Sequence, residues 1–418
     1  MSAPAHPTMK PLAVTSFTAT TAVGRGIGSL VATRYAGRSG LAPNDYTEAR
    51  TGVALPTWIG RVSGIEDAPL PDRWRELDCR NHRLAWLALQ EDGFIEAVDA
   101  ANARYGPSRV AVLIGTSTST IEASEEAYRF FAQIGTPPVT FEQRASHHLH
   151  ATTAFVRDAL GAAGPCSTIS TACSSSAKVF AQAARMIAIG VVDAAVVGGV
   201  DSLAAGPLFG FHALGLVSQN PCRPFDARRD GISIGEGAGF ALLERSDAED
   251  DPLLIGYGES SDAHHMSSPH PEGLGARLAI EAALTRARVG PEAVDYINLH
   301  GTATLMNDAV EAAIIQAIFP PTLHASSTKG WTGHTLGAAG IVEAVITLIA
   351  MRDGVAPGMR VDASAQVSPD AACGPQIRFE DETRPIGVAL SNAFAFGGNN
   401  CVLAFARDAE ALRAARRS

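Results

Sequence analysis

Short apolar runs rich in β-branched residues, each closed by a glycine or threonine turn, alternate along this chain with stretches of helical periodicity, and few folds accept that alternation. The runs fall at 110–114 (within RVAVLIGTSTST), 194–200, 238–243, 294–299 (within VDYINLHGTAT) and 388–391. Apolar residues recur at helical spacing over 81–96, 173–190, 276–287 and 338–351. Strands interleaved with helices predict an α/β protein built on mixed or largely parallel sheets.

Two of the runs echo one another. RVAVLIGTST and VDYINLHGTAT are both apolar strands ending in a Gly-Thr turn, and downstream of each a polar turn leads into an apolar helix. Two similar α/β halves would explain a chain of 418 residues with 46% hydrophobic content. The break falls near residue 250, at Asp247-Ala248-Glu249-Asp250-Asp251-Pro252, giving halves 1–250 and 251–418 whose polar turns meet at a shared seam. Near the N-terminus, KPLAVTSFTATTAVG lacks a sustained apolar core and reads as a first strand, not a signal peptide. Residues 407–418 read as a frayed tail ending in basic residues.

A formal net charge of −10 disfavours a broad surface for nucleic acid or anionic membrane, so an acidic partner would need a local basic patch. The longest apolar stretch, 337–351, is too short for a membrane span and carries Glu343 near its middle. Six scattered cysteines without a C-x-x-C pair suggest free thiols in a reducing compartment, and therefore a soluble cytoplasmic protein. No metal is expected: His147-His148-Leu149-His150 has no matching carboxylate or thiol motif and reads as a surface or interface helix.

Chemistry concentrates in three polar turns. Cys173 sits in Ser170-Thr171-Ala172-Cys173-Ser174-Ser175-Ser176, directly before a helical pattern. Free amides and the helix dipole at that position stabilise a thiolate and predict a thiol pKa below the ordinary value of about 8.5. The alternative is a buried structural cysteine. His300 ends a strand and begins His300-Gly301-Thr302-Ala303-Thr304, where a ligand could reach its ring. His334 lies in Lys329-Gly330-Trp331-Thr332-Gly333-His334-Thr335-Leu336-Gly337-Ala338-Ala339-Gly340. The small residues after it suit a tight helix crossing as well as substrate access.

Taken together, these segments resemble the β-ketoacyl synthase family, in its elongating Cys-His-His branch. TACSSS is similar to that family's nucleophile elbow, HGTAT to its HGT-x-T motif and K-x-x-x-x-H-x-x-G-A-A-G to its Lys/His motif. Asn392-Ala393-Phe394-Ala395-Phe396-Gly397-Gly398-Asn399-Asn400 is similar to its gating loop. Supporting matches are Arg223-Pro224-Phe225-Asp226, Arg229-Asp230-Gly231 with Gly235-Glu236-Gly237-Ala238, and Ser261-Asp262-Ala263-His264-His265-Met266; the motifs keep the family's order over about residues 10 to 405.

The resemblance implies a thiolase-like fold of five layers, αβαβα, made of two fused pseudo-repeats. It implies decarboxylative Claisen condensation of an acyl group with malonyl-acyl carrier protein, in fatty acid or polyketide/polyene biosynthesis. Cys173 would be the nucleophile, with His300, His334 and Lys329 as its catalytic companions, and the backbone amides of Cys173 and Phe396 would form the oxyanion hole. Glu343 would pair with Lys329. An unpaired carboxylate in GIVEAVITLIA would be costly, which favours that partner. Asp308 and Glu311 would support the site structurally, by capping the helix after HGTAT. Phe394 and Phe396 would gate it, and Thr302, Thr304 and Ser267 would bind pantetheine, with plain turn chemistry as the alternative for the threonines.

No tightly bound cofactor is implied, only the phosphopantetheine of acyl carrier protein as substrate carrier. That partner's acidic helix would dock on Arg73, Arg75, Arg80 and Arg83, or on Arg228 and Arg229. The protein would be a homodimer, or a ketosynthase active only in a heterodimer with a chain-length factor. A CoA-dependent thiolase is a further alternative, disfavoured because Cys401 lacks the C-x-G context. An initiating synthase would carry asparagine in place of His334. Four departures stand out: Ala395 for glycine and Asn399 for threonine in the gating loop, Leu305 for proline, and the polar turn 115–120 where the acyl pocket usually closes. Alanine at 395 is expected to stiffen the loop.

Overall fold

One pairing pattern occurs twice in the sheet, and it dictates the layers. A computed structural model describes residues 8–46, 52–136, 148–245, 248–359 and 367–417. From one edge, the strands run Cys166–Ile169, Val110–Gly115, Ala194–Asp201, Gly237–Glu244 and Leu12–Thr21. From the other, they run His324–Ser326, Tyr296–Asn298, Val388–Ala395, Asn399–Ala406 and Leu253–Ser261. In both sets the first two pairings are parallel and the next two antiparallel. Among the described residues the sets pair only through Leu12↔Leu254 and Ala13↔Leu253. The two strands whose sequences echo each other both lie second from an edge.

Strand residues alternate between two cores, as a period of two requires. Ala111 and Leu113 face the middle of the molecule beside Val179, Phe180, Ile341 and Val345, while Val110, Val112 and Ile114 face outward. The middle layer is the helix pair Ser175–Ala188 and Ala339–Asp353. One outer layer holds Arg80–Leu89, Phe94–Tyr105 and Ala151–Ala159; the other holds Leu274–Ala287 and Leu305–Ile318. This is the thiolase-like αβαβα order that the resemblance implied. Burial of 339–351 on every side explains their all-round apolar character. No helix among the described residues is long and apolar enough to cross a membrane.

The central helices cross closely because glycine allows it. A Cβ on Gly340 would lie 2.5 Å from the amide nitrogen of Ala177, and Ile341 N–H donates to Ser176 Oγ at 2.9 Å. The glycine-alanine run therefore serves helix crossing.

Several expectations need correction. The pattern over 81–96 is two helices, broken where Asp92 (φ 57°) and Gly93 (φ 70°) turn left-handed. Strands Leu253–Ser261 and Asn399–Ala406 were not expected, and the second begins inside the gating motif. The C-terminal segment is not frayed over its length. Asp408 caps the helix Ala409–Ala415, Leu412 is buried, and Arg413 pairs with Glu249 at 2.7 Å. His147 lies outside the described residues. His150 bonds Thr168 Oγ1 at 2.9 Å and lies 3.6 Å from Cys166 Sγ.

Candidate active site

The chain reverses sharply before Cys173. Edge strand Cys166–Ile169 ends in a turn where Ala172 takes φ 52°, a left-handed conformation that a Cβ disfavours. Thr171 N–H donates to Ser175 Oγ (2.9 Å), and Ser175 Oγ–H donates to the Ala172 carbonyl (2.5 Å). These bonds hold the strained residue at the top of a strand-to-helix elbow. The helix proper begins at Ser175, so the sulfur lies just outside its first turn. Neighbouring Gly115 is obligatory, since a Cβ there would lie 2.2 Å from Ser176 N.

Cys173, His300 and His334 line one cavity of about 380 Å³, together with Phe211, Phe394 and Phe396. The imidazole centroids are 5.5 Å apart with planes near perpendicular, at 86°. Leu336 N–H donates to His334 Nδ1 at 3.2 Å, which makes Nδ1 the acceptor and places the ring proton on Nε2. His300 Nδ1 has no hydrogen-bond partner among the described residues. Burial, reinforced by the Lys329 cation, holds both histidines well below their ordinary pKa, so both rings are neutral.

The expected low thiol pKa is not found. Burial pushes Cys173 up to about 12 against a downward pull from Lys329, so the resting group is the thiol. Proximity to a helix start is outweighed by the loss of water.

Lys329 does not line the cavity. It stands behind His300, donating from Nζ to the His300 carbonyl (2.6 Å) and to Glu343. Burial raises the Glu343 carboxyl to about 7, opposed by Lys329. Glu311 accepts from His300 N (2.9 Å), Gly301 N (2.8 Å) and Asn392 Nδ2 (3.1 Å) and so fixes the His300 turn. Asp308 accepts from Phe225 N (2.8 Å) and Ala303 N (3.2 Å). Neither carboxylate is a helix cap, because the cap position is Thr304 and it makes no side-chain cap bond. Both tie the turn to neighbouring segments instead.

Thr302, Thr304 and Ser267 line the same cavity, and the two threonine hydroxyls bond each other at 2.9 Å. Phe394 lies 6.0 Å from the His300 ring and Phe396 lies 5.4 Å from Phe211. Ala395 adopts φ −124°, ordinary extended backbone, so alanine is unstrained here. Asn399 accepts from Lys178 Nζ at 3.2 Å, joining the loop to the cysteine helix. Leu305 is 63% exposed beside the cavity.

Two proposed docking arginines are internal. Arg80 is clamped by Glu236 (2.8 and 2.5 Å), and buried Arg229 binds Asp370 (2.6 Å) and the Leu305 carbonyl (3.1 Å). Arg83 pairs with Asp78 (2.6 Å), Arg73 stacks over Trp74 (3.6 Å), and Arg228 pairs with Asp226 (2.8 Å) while remaining 47% exposed. The polar turn 115–120 does not line the cavity. The hydroxyls of Thr116, Ser117 and Thr118 turn toward Asp201, a residue that sequence reasoning passed over although an aspartate closing an all-apolar strand was visible.

Comparison with known proteins gives one answer. Residues 80–249 match the model of the β-ketoacyl synthase N-terminal domain and residues 253–360 that of its C-terminal domain. The chain is 40% identical over 267 residues to a mitochondrial 3-oxoacyl-[acyl-carrier-protein] synthase of Arabidopsis thaliana, covering 59% of this chain and 57% of that protein. The chain thus spans less than two thirds of that relative. With the chloroplastic 3-oxoacyl-[acyl-carrier-protein] synthase I of Hordeum vulgare it is 32% identical, covering 89% of this chain and 83% of that one. The ketosynthase ApeO of Xenorhabdus doucetiae, solved in complex with its chain length factor ApeC, superposes with a TM-score of 0.85 at 35% identity, over 97% of this chain and 99% of that one.

Proposed function

Because the chain belongs to the β-ketoacyl synthase family, we propose that it joins an acyl group held on Cys173 to a malonyl unit carried by acyl carrier protein, with loss of carbon dioxide. The observation that carries this reading is the single cavity shared by one thiol and two neutral imidazoles.

In the first step the Cys173 sulfur attacks the acyl thioester. Since the resting group is S–H, the neutral His300 imidazole accepts its proton, His334 already carrying its own on Nε2, and returns it to the departing carrier thiol. The amides of Cys173 and Phe396 receive the oxyanion. Malonyl thioester then enters along Thr302, Thr304 and Ser267. As its carboxylate leaves as carbon dioxide, the electron pair moves onto the thioester oxygen, where the N–H groups of His300 and His334 stabilise the enolate. The enolate carbon attacks the acyl-cysteine, and the sulfur leaves as thiolate and takes up a proton from solvent, the one proton that the overall condensation consumes. Lys329 and Glu343 act from behind by holding His300, Asp308 supports the turn, and Phe394 with Phe396 closes the entrance. The proposal includes two halves, 1–250 and 251–418, and a cytoplasmic location, supported by six free thiols.

The active form is proposed as a homodimer or a heterodimer with a chain-length factor. The outer edge of Cys166–Ile169 is half-exposed, whereas its counterpart His324–Ser326 is covered by Gln376–Arg378 backbone bonds (2.8 and 2.9 Å). Helix Ile121–Ile134 exposes Phe130, Phe131 and Ile134. A thiolase reading is disfavoured, because Cys401 is fully buried in a strand and does not line the cavity.

Cys173→Gln tests the assignment. It should abolish condensation while malonyl-carrier decarboxylation persists, both followed by mass spectrometry of the carrier. Chain extension at the wild-type rate in this variant would refute the reading.

A further inference from the structure

Asp201 is the most heavily hydrogen-bonded side chain near the cavity, yet it does not line it. It ends strand Ala194–Asp201 and is fully buried, at 0% exposure. Its Oδ1 accepts from Thr116 Oγ1 (2.6 Å), Thr118 Oγ1 (2.6 Å) and Thr118 N (2.9 Å). Its Oδ2 accepts from Ser117 N (3.0 Å), Ser117 Oγ (2.9 Å) and Gly337 N (2.6 Å). The first five donors belong to the polar turn, which explains why that turn is rich in hydroxyls. The sixth belongs to another segment, three residues beyond His334.

The Gly337 bond matters because of what lies between. Leu336 sits at φ 54°, a left-handed conformation that leucine adopts only when its surroundings impose it. From that conformation its N–H reaches His334 Nδ1 at 3.2 Å. Gly337 is pinned on the far side: a Cβ there would meet Ser117 N at 2.5 Å and Asp201 Oδ2 at 2.6 Å. Released from Asp201, Gly337 could relax, Leu336 could leave its strained state, and the donor on Nδ1 would be lost. The ring proton could then reside on either nitrogen.

We propose that Asp201 is a positioning residue for His334, holding Gly337 so that the Leu336 amide keeps the imidazole as the Nε2–H tautomer aimed at the reacting thioester. The inference rests on the decarboxylation role given to His334 above. Asp201→Asn keeps the shape but replaces one accepting oxygen with a donor, so the site cannot accept from all six groups.

Two readouts decide it, both in the 418-residue chain. In the Cys173→Gln background, adding Asp201→Asn should slow malonyl-carrier decarboxylation by about 10-fold or more, the scale expected for a misplaced catalytic group. By NMR of ¹⁵N-histidine-labelled protein, with the His334 signals assigned by their loss in His334→Ala, Asp201→Asn should convert His334 from one tautomer to a mixture. The proposal stands only if both change together. A slowed reaction with the tautomer intact shows a merely structural carboxylate and overturns it, as does a mixed tautomer with an unchanged rate, or no change in either. If Asp201→Asn does not fold, Thr118→Val removes one hydroxyl from the same carboxylate at nearly constant shape and is read in the same two assays. Wild-type values there overturn the proposal equally. If Cys173→Gln alone fails to decarboxylate, or His334→Ala does not slow it, the functional reading has failed instead, while the tautomer measurement still reports on Asp201.

Discussion

Burial sets the chemistry of single residues more strongly than their sequence context does. Cys173 has the neighbours of an activated thiol, yet it is held as S–H because water is excluded from it. The same exclusion keeps His300 and His334 neutral. Lys329 and Glu343 show the converse, a charged pair tolerated inside because each has the other. Lys329→Met should leave a buried carboxylate without its cation and destabilise the fold by about 3–5 kcal/mol. Lys329→Met with Glu343→Leu should recover most of that stability in thermal unfolding but not malonyl decarboxylation, since the donor to the His300 carbonyl stays lost. Recovery of both would reduce the pair to a structural role. Away from the site, burial pushes His82 down to about 4. The folded protein therefore binds that proton less readily than the unfolded chain, whose histidine has the ordinary pKa of about 6.5. The resulting stabilisation is complete above about pH 6.5 and is lost as the pH falls towards 4, an effect of about 3 kcal/mol. His82→Phe, which preserves the ring stacked on Phe155 at 4.7 Å, should flatten urea-unfolding stability across that window. An unchanged pH slope would show that other groups govern acid sensitivity.

At the scale of elements, the site depends on two turns that each precede a central helix and on how closely those helices cross. Gly340 sets that distance against Ala177. Gly340→Ala places a methyl against backbone that cannot move aside, and overpacking of this kind costs about 1–3 kcal/mol. Because the Cys173 and His334 turns start the two helices, the shift should also reduce condensation, by up to about 100-fold for a displacement near 1 Å. A lowered melting temperature with undiminished condensation would mean that the turns are positioned independently of the crossing. The periodic pattern located these helices to within two residues at each end. It could not show the break at Asp92-Gly93, where apolar spacing continues through the turn. It also missed strands Leu253–Ser261 and Asn399–Ala406, whose glycine, serine and asparagine residues disguise them, because sheet pairing there overrides weak local propensity.

For the whole molecule, the repeated pairing pattern gives two equivalent sheet edges, and among the described residues only one of them is covered. If the open edge and the exposed face of Ile121–Ile134 meet a partner, Phe131→Glu should shift the sedimentation coefficient toward that of the monomer. A wild-type coefficient in that variant would place the contact elsewhere. The sequence by itself determined the α/β class and singled out Cys173, His300 and His334 as candidates, because strand period, helix period and short turn motifs are local properties of neighbouring residues. Only the tertiary structure decided that Arg80 and Arg229 are internal, that the thiol rests protonated, and that Asp201 reaches Gly337 across 136 residues. Desolvation and long-range hydrogen bonds arise when distant segments exclude water together, and no local pattern along the chain records that event.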